Sequence, residues 1–263
     1  MKFAISGKGG VGKTLIASYL SRIFAEAGYS VIAIDADPDA NLATSLGFPA
    51  PDQIIPISEM KELIKERTGI RDNEATSYFK MNPTVADIPD KYALKKDGIS
   101  LMVMGRVKNG GTGCYCPENA FLQSLMTHLL LKPGEVVIMD MSAGIEHLSR
   151  GTARMVDKLI IVVEPGRKSV ETARRITGLA KDLGIRSIAV IANKIREPSD
   201  KEFLTSSLSG YEFLGFIPYD PAIPAADMKG TSLLEASPEV AQNIKGIYQI
   251  LISGMENPTI KNQ

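Results

Sequence analysis

At 263 residues the chain sets 30 lysines and arginines against 30 aspartates and glutamates, so its charge supplies no reason to expect a nucleic-acid or lipid surface as the principal partner. A hydrophobic content of 44% suits one soluble α/β domain over residues 1–263, and no apolar run approaches the roughly 20 residues that cross a bilayer. The opening Met1-Lys2-Phe3-Ala4-Ile5-Ser6 is too short before its glycines for a signal peptide, which predicts a cytoplasmic location.

The first apolar run, residues 2–6, predicts a strand, and residues 14–27 predict a helix stopped by Gly28. Between them stands Gly7-Lys8-Gly9-Gly10-Val11-Gly12-Lys13-Thr14. Strand, Gly-x-x-x-x-Gly-Lys-Thr and helix together are the spacing and context of a phosphate-binding loop. Its glycines let backbone N–H groups turn toward phosphates, and the first helical turn adds unpaired donors and the positive dipole end. Lys13 is expected on the β- and γ-phosphate oxygens and the Thr14 hydroxyl on Mg2+. Lys8 cannot easily share its own nucleotide with Lys13, but it can reach the nucleotide of a second copy.

A second strand, residues 31–35, runs into Asp35-Ala36-Asp37-Pro38-Asp39, carboxylates at the edge where open α/β sheets bind ligands. Asp35 and Asp39 are candidates for water bound to Mg2+; Asp39 is equally a candidate N-cap for a helix over 40–46. Residues 48–98 break the rhythm with scattered prolines and charges, predicting an insertion on the nucleotide face with one helix at 59–67. A strand at 100–104 then leads to Asn109-Gly110-Gly111-Thr112-Gly113-Cys114-Tyr115-Cys116-Pro117 and a helix at 118–131. One intervening residue is too tight for an ordinary disulfide, and thiols at a helix N-terminus favour the thiolate and hence metal. Two sulfurs make half a tetrahedral site; two subunits supply four, as Zn2+ or thiolate-bound nickel accepts. His128 and His147 are weaker additional ligand candidates.

Residues 135–140 form a further strand, followed by Asp140-Met141-Ser142-Ala143-Gly144. Asp140 is expected to hold Mg2+ through water, and Gly144 to bring a backbone N–H to the γ-phosphate. Strands at 158–163, 187–192 and 212–217 and helices at 169–183 and 240–252 complete the alternation, with 257–263 as a frayed tail. The whole predicts a three-layer, doubly wound, mainly parallel sheet. Asn193 offers a donor and an acceptor to N6 and N7 of adenine, beside Lys194, while Pro218 and Tyr219 wrap the base. Arg196 stands where a guanine-binding Asn-Lys-x-Asp would need aspartate, which favours ATP.

The Lys-Gly-Gly-x-Gly-Lys-Thr pattern resembles the deviant Walker A motif of the P-loop NTPase family containing the nitrogenase iron protein, MinD, ParA and nickel-insertion ATPases, and the likeness spans nearly the whole chain. It implies that Lys8 crosses a dimer interface, that Asp37 is the switch I aspartate orienting the attacking water, and that Asn193 binds the purine. The Cys114-Tyr115-Cys116 pair, with Asp-Met-Ser-Ala-Gly-Ile-Glu-His-Leu-Ser-Arg-Gly-Thr at 140–152, looks like the CooC-type accessory ATPases. The resemblance implies a homodimer using ATP/ADP, Mg2+ and Ni2+ or Zn2+, with a nickel carbon monoxide dehydrogenase or acetyl-CoA synthase as client. Two alternatives stay open: an iron-sulfur carrier or electron-transfer ATPase with a cluster at the dimer axis, and a positioning switch of the ParA/MinD kind. The last helix lacks a basic face, which disfavours a membrane partner.

Overall fold

The computed structural model describes residues 1–70, 79–105, 116–131, 134–145 and 147–256. The loop carrying Cys114 and the tail at 257–263 lie outside them. The chain runs through β1 (Lys2–Gly7), α1 (Lys13–Glu26), β2 (Val31–Ala36), α2 (Leu42–Ser45), α3 (Lys61–Thr68), α4 (Ile88–Tyr92), β3 (Leu94–Lys96) and β4 (Ile99–Val103). It continues through α5 (Pro117–Leu131), β5 (Val136–Met141), α6 (Arg150–Ala153), β6 (Lys158–Val163), α7 (Arg167–Leu183), β7 (Ile188–Ile195), α8 (Pro198–Ser207), β8 (Glu212–Pro218), α9 (Ala222–Lys229) and α10 (Pro238–Glu256).

The described strands form one sheet in the order β3-β4-β2-β5-β1-β6-β7-β8. Every pairing is parallel except β3 with β4. β1, β2 and β5 are buried along their full length, which is why their sequences are apolar runs and not alternations. Side chains still separate by period 2: Phe3 and Ile5 face the layer holding Phe24, Ile244 and Tyr248, and Ala4 faces the layer holding Phe121, Leu125 and Ile176. Phe24 anchors the first layer, fully buried, with its ring 4.8 Å from Tyr248 and 5.7 Å from Phe3. Truncating such a ring to alanine costs about 3–5 kcal/mol.

The chain leaves β1 for β2 on one side and returns to β6 on the other, so the connections diverge at β1, and a ligand crevice opens at the carboxyl ends there. The expected three-layer, doubly wound sheet is the observed one. Residues 48–98 do more than insert: Ile57, Leu63, Ile64, Val85 and Ile88 join the core cluster around Phe121, and β3 adds an antiparallel edge. β3 escapes prediction because it has three residues, two of them lysines, as edge strands tolerate. α8 and α9 were also missed, although Pro198 at the first helical position and Gly230 after the last helical residue were legible signals.

Candidate functional site

Gly7 ends β1 where a Cβ would overlap the Val162 carbonyl of β6, and Gly12 lies at φ 94° with its missing Cβ facing the Asn193 amide. Only glycine allows both approaches, and they fold residues 8–12 into a loop over the N-terminus of α1. Asn193 of β7, almost fully buried, donates its Nδ2 to the Val11 carbonyl at 2.7 Å. The phosphate loop is thus braced from β7 as well as held between β1 and α1. Nδ2 carries a second N–H, so beyond this brace the amide keeps one donor and its carbonyl oxygen.

Lys13 is buried, and its Nζ lies 3.4 Å from Asp37 Oδ2. One turn deeper, the Thr14 hydroxyl donates to Asp140 Oδ2 at 2.5 Å, while Asp140 Oδ1 is buried without a hydrogen-bond partner. Burial pushes the Asp140 carboxyl up to about 7, against the pull of the Thr14 hydroxyl and with Asp35 adding to the rise. Burial likewise pushes Asp35 up to about 6, against two backbone N–H donors. Those donors are Leu42 N at 2.9 Å and Asp37 N at 3.3 Å. Asp35 therefore receives the first N–H of α2 and shapes the turn that presents Asp37. The candidate cap Asp39 does not do this: Asn41 is the N-cap residue and makes no side-chain cap, and exposed Asp39 gives its own N–H to Asp37 Oδ1 at 3.2 Å.

Three carboxylates around one buried lysine leave this corner short of positive charge, and an unsatisfied carboxylate oxygen beside a hydroxyl fits Mg2+. That ion takes one or two protein oxygens and completes its octahedron with water and phosphate. Among the described residues no group of three or more His, Cys, Asp or Glu side chains could hold a metal by itself.

A cleft of about 810 Å³ connects these groups to the base side. Gly9, Gly10, Gly12, Lys13 and Thr14 line it with Asp37 and Asp39, and so do Asn193 and Lys194, which touch the loop, and Pro218 and Tyr219. Gly7, Lys8, Val11 and Gly144 do not line it, and Asp35 and Asp140 lie fully buried. The wall continues from Asp220 into Ile223, Pro224 and Asp227 of α9 and on to Leu233, and the part beyond Asp220 has no counterpart in the sequence expectations. The exposed Arg196 guanidinium sits 4.0 Å above the Tyr219 ring centroid.

Two more features escaped the sequence reading. In the segment after β5, the Ser6 hydroxyl donates to the Ser142 carbonyl at 2.8 Å, and buried Ile145 is held at φ 50°. That conformation costs a β-branched residue about 1–3 kcal/mol and persists only under external constraint. Beyond β6, the Glu164 carboxylate bridges Lys8 Nζ at 3.3 Å and Lys194 Nζ at 3.2 Å. Glu164 follows an apolar strand at the carboxyl edge, as Asp37 and Asp140 do, so the same rule could have found it. Cys116 is partly exposed immediately before α5, where its carbonyl accepts the Ala120 N–H at 3.1 Å. His147 is buried and His128 half-buried on α5.

Known proteins share this architecture and sequence. Residues 2–233 match the model of the CobQ/CobB/MinD/ParA nucleotide binding domain. The carbon monoxide dehydrogenase accessory protein CooC of Rhodospirillum rubrum is 48% identical over 254 residues, 96% of each chain. An uncharacterized ATP-binding protein of Methanocaldococcus jannaschii is 44% identical over 98% of this chain and 100% of its own. Among solved structures, the MinC:MinD complex of Aquifex aeolicus superposes with a TM-score of 0.68 at 21% identity, covering 100% of this chain and 99% of that one. A ParA family ATPase from Chlorobium tepidum gives 0.69 at 18% identity, covering 94% and 98%; these two speak for the fold alone. With a glycine-rich Gly-x-x-x-x-Gly-Lys-Thr loop, a buried acidic corner and a cleft on a doubly wound sheet, and with these relatives over nearly its full length, the chain belongs to the CobQ/CobB/MinD/ParA nucleotide-binding family, in the branch of the CooC-type accessory proteins.

Proposed function

We propose that this protein is an ATPase that pairs with a second copy of itself around ATP and serves the maturation of a nickel carbon monoxide dehydrogenase or acetyl-CoA synthase. The client is supported by the 48% identity to a carbon monoxide dehydrogenase accessory protein. The observation that carries the chemistry is the Thr14–Asp140 contact of 2.5 Å, with a buried, unpartnered carboxylate oxygen directly beneath the phosphate loop.

Backbone N–H groups of the loop and the first turn of α1 bind the β- and γ-phosphates. The triphosphate outcompetes the single carboxylate of Asp37 for Lys13, which moves onto the β- and γ-oxygens. Asp37, released from its ion pair, accepts a hydrogen bond from a water and aims it at the γ-phosphorus. The water oxygen bonds to phosphorus as the bond to the β–γ bridging oxygen breaks, giving ADP and inorganic phosphate as H2PO4−, which keeps both of the water's protons. Thr14 and, through water, Asp140 would hold Mg2+, which would supply neutralisation of the triphosphate's charge. Lys8 reaches the phosphates of the partner's nucleotide, and Gly144 offers its N–H to the γ-phosphate. Asn193, Lys194, Pro218 and Tyr219 hold the adenosine end.

Nickel is the cargo in this reading. Cys114 and Cys116 of two subunits supply four thiolates, and the position of Cys116 at the start of the 15-residue helix α5 supports thiolate character. The test titrates Ni2+ and Mg-ATP against wild type and the Cys114→Ser, Cys116→Ser double variant, reading metal content, subunit mass and phosphate release. Wild type is expected to hydrolyse ATP and to hold about one nickel per pair of chains. The double variant should keep ATP binding and lose the metal. Equal metal content in both would remove the cargo role, and a brown protein carrying iron and sulfide would replace nickel with a cluster.

A further inference from the structure

Lys8, the residue that must leave its own subunit in the reading above, does not hang free at the surface. Its ammonium lies 3.3 Å from Glu164 Oε1, and the other oxygen, Oε2, lies 3.2 Å from the ammonium of Lys194. Lys194 is fixed from two directions: its Nζ donates to the Gly10 carbonyl at 2.5 Å, and its backbone is held at φ 60°. Glu164 is fixed as well, at the junction of β6 and α7, where its N–H donates to the buried Ser169 hydroxyl at 3.1 Å. Of the two ammonium groups, that of Lys8 has no hydrogen bond besides the one to Glu164 among the described residues, its backbone carbonyl alone accepting the Val11 N–H at 3.4 Å.

We propose that Glu164 is a positioning residue that docks Lys8 on its own subunit and hands it to the partner's nucleotide when two ATP-loaded copies meet. This rests on the dimeric ATPase reading and adds its gate. Two magnitudes make the handover feasible. The lysine side chains are 39% exposed and Glu164 24%, so water screens the docking contact and it holds Lys8 weakly. A triphosphate with bound Mg2+ still carries more negative charge than one carboxylate, so Lys8 gains by moving. The second lysine lowers the barrier further: when Lys8 departs, Glu164 remains paired with Lys194, and no half-buried charge is stranded. A structural ion pair would need one cation; a shared carboxylate can release one and keep the other.

The test measures the ATP concentration at which subunits associate, by sedimentation with Mg2+ and a non-hydrolysable ATP analogue. Glu164→Gln, close in shape but uncharged, frees Lys8 and is expected to lower that concentration about two- to fivefold, the range of a partly exposed ion pair. Glu164→Ala should shift it in the same direction, and destabilising the fold does not produce a gain. High salt should shrink the difference from wild type, since the lost contact is electrostatic. In a Lys8→Ala background, Glu164→Gln should change nothing. If wild type associates and Lys8→Ala does not, yet Glu164→Gln associates at the same or a higher concentration, the docking role is overturned and the dimeric ATPase stands. A gain from Glu164→Gln that persists without Lys8 also overturns it, showing the carboxylate merely repels phosphate. Wild type that never associates with ATP overturns both.

Discussion

The two wings of the sheet, on either side of β1, build opposite halves of the site. On the β2 and β5 side the charges are sealed: Asp35 and Asp140 are fully buried, and buried Lys13 pairs with Asp37 beside them. On the β6, β7 and β8 side they are open, with Lys8 and Lys194 exposed across Glu164 and Arg196 lying on Tyr219. The sealed wing keeps carboxylates in low dielectric, where each is strongly perturbed and ready for a cation; the open wing keeps its ions screened and exchangeable. In the proposed function, chemistry falls to the sealed side and recognition of base and partner to the open one.

Asp37→Asn strikes the sealed wing hardest. Turnover at saturating Mg-ATP should fall on the order of a hundred- to a thousandfold, while ATP affinity holds or rises because Lys13 loses its resting partner. Phosphate release and nucleotide titration measure the two separately, and unchanged turnover would end the division of labour. On the open wing, Asn193→Ala removes both the brace on Val11 and the amide proposed to read the base. ATP should bind about tenfold more weakly, with GTP affected less, so that the preference between them narrows. A uniform loss for both nucleotides would make Asn193 a brace only. Arg196→Ala, which strips the cation from the outer face of Tyr219, should weaken ATP and ADP alike by about two- to threefold without changing turnover.

The parts legible in sequence were those whose meaning is local. Gly7 through Thr14, lying between a strand and a helix, carried its geometry in its spacing, and the apolar runs marked the buried strands without any partner being known. Asp37 and Asp140 were visible as carboxylates after such runs. Other features were not, because two good candidates can serve the same local purpose. Asp39 and Asp35 are both positioned to cap α2, and burial of Asp35 against Leu42 N decides between them. Asn193 reads as a base-binding amide, and only the fold shows that its nitrogen also braces the Val11 carbonyl. Residues 48–98 read as an appendage because their core positions are scattered and find partners in α5 and β4.

By itself, then, the amino-acid order determined the strand-and-helix alternation, the doubly wound sheet and the phosphate loop, since hydrophobic period, glycine spacing and turn residues act over a few neighbours. Tertiary structure alone decided which charge meets which. Lys8 and Glu164 stand 156 residues apart, Thr14 and Asp140 126, and Asn193 and Val11 182. Such pairings come from the crossing of connections around β1, a consequence of packing both faces of one sheet that no window of sequence contains.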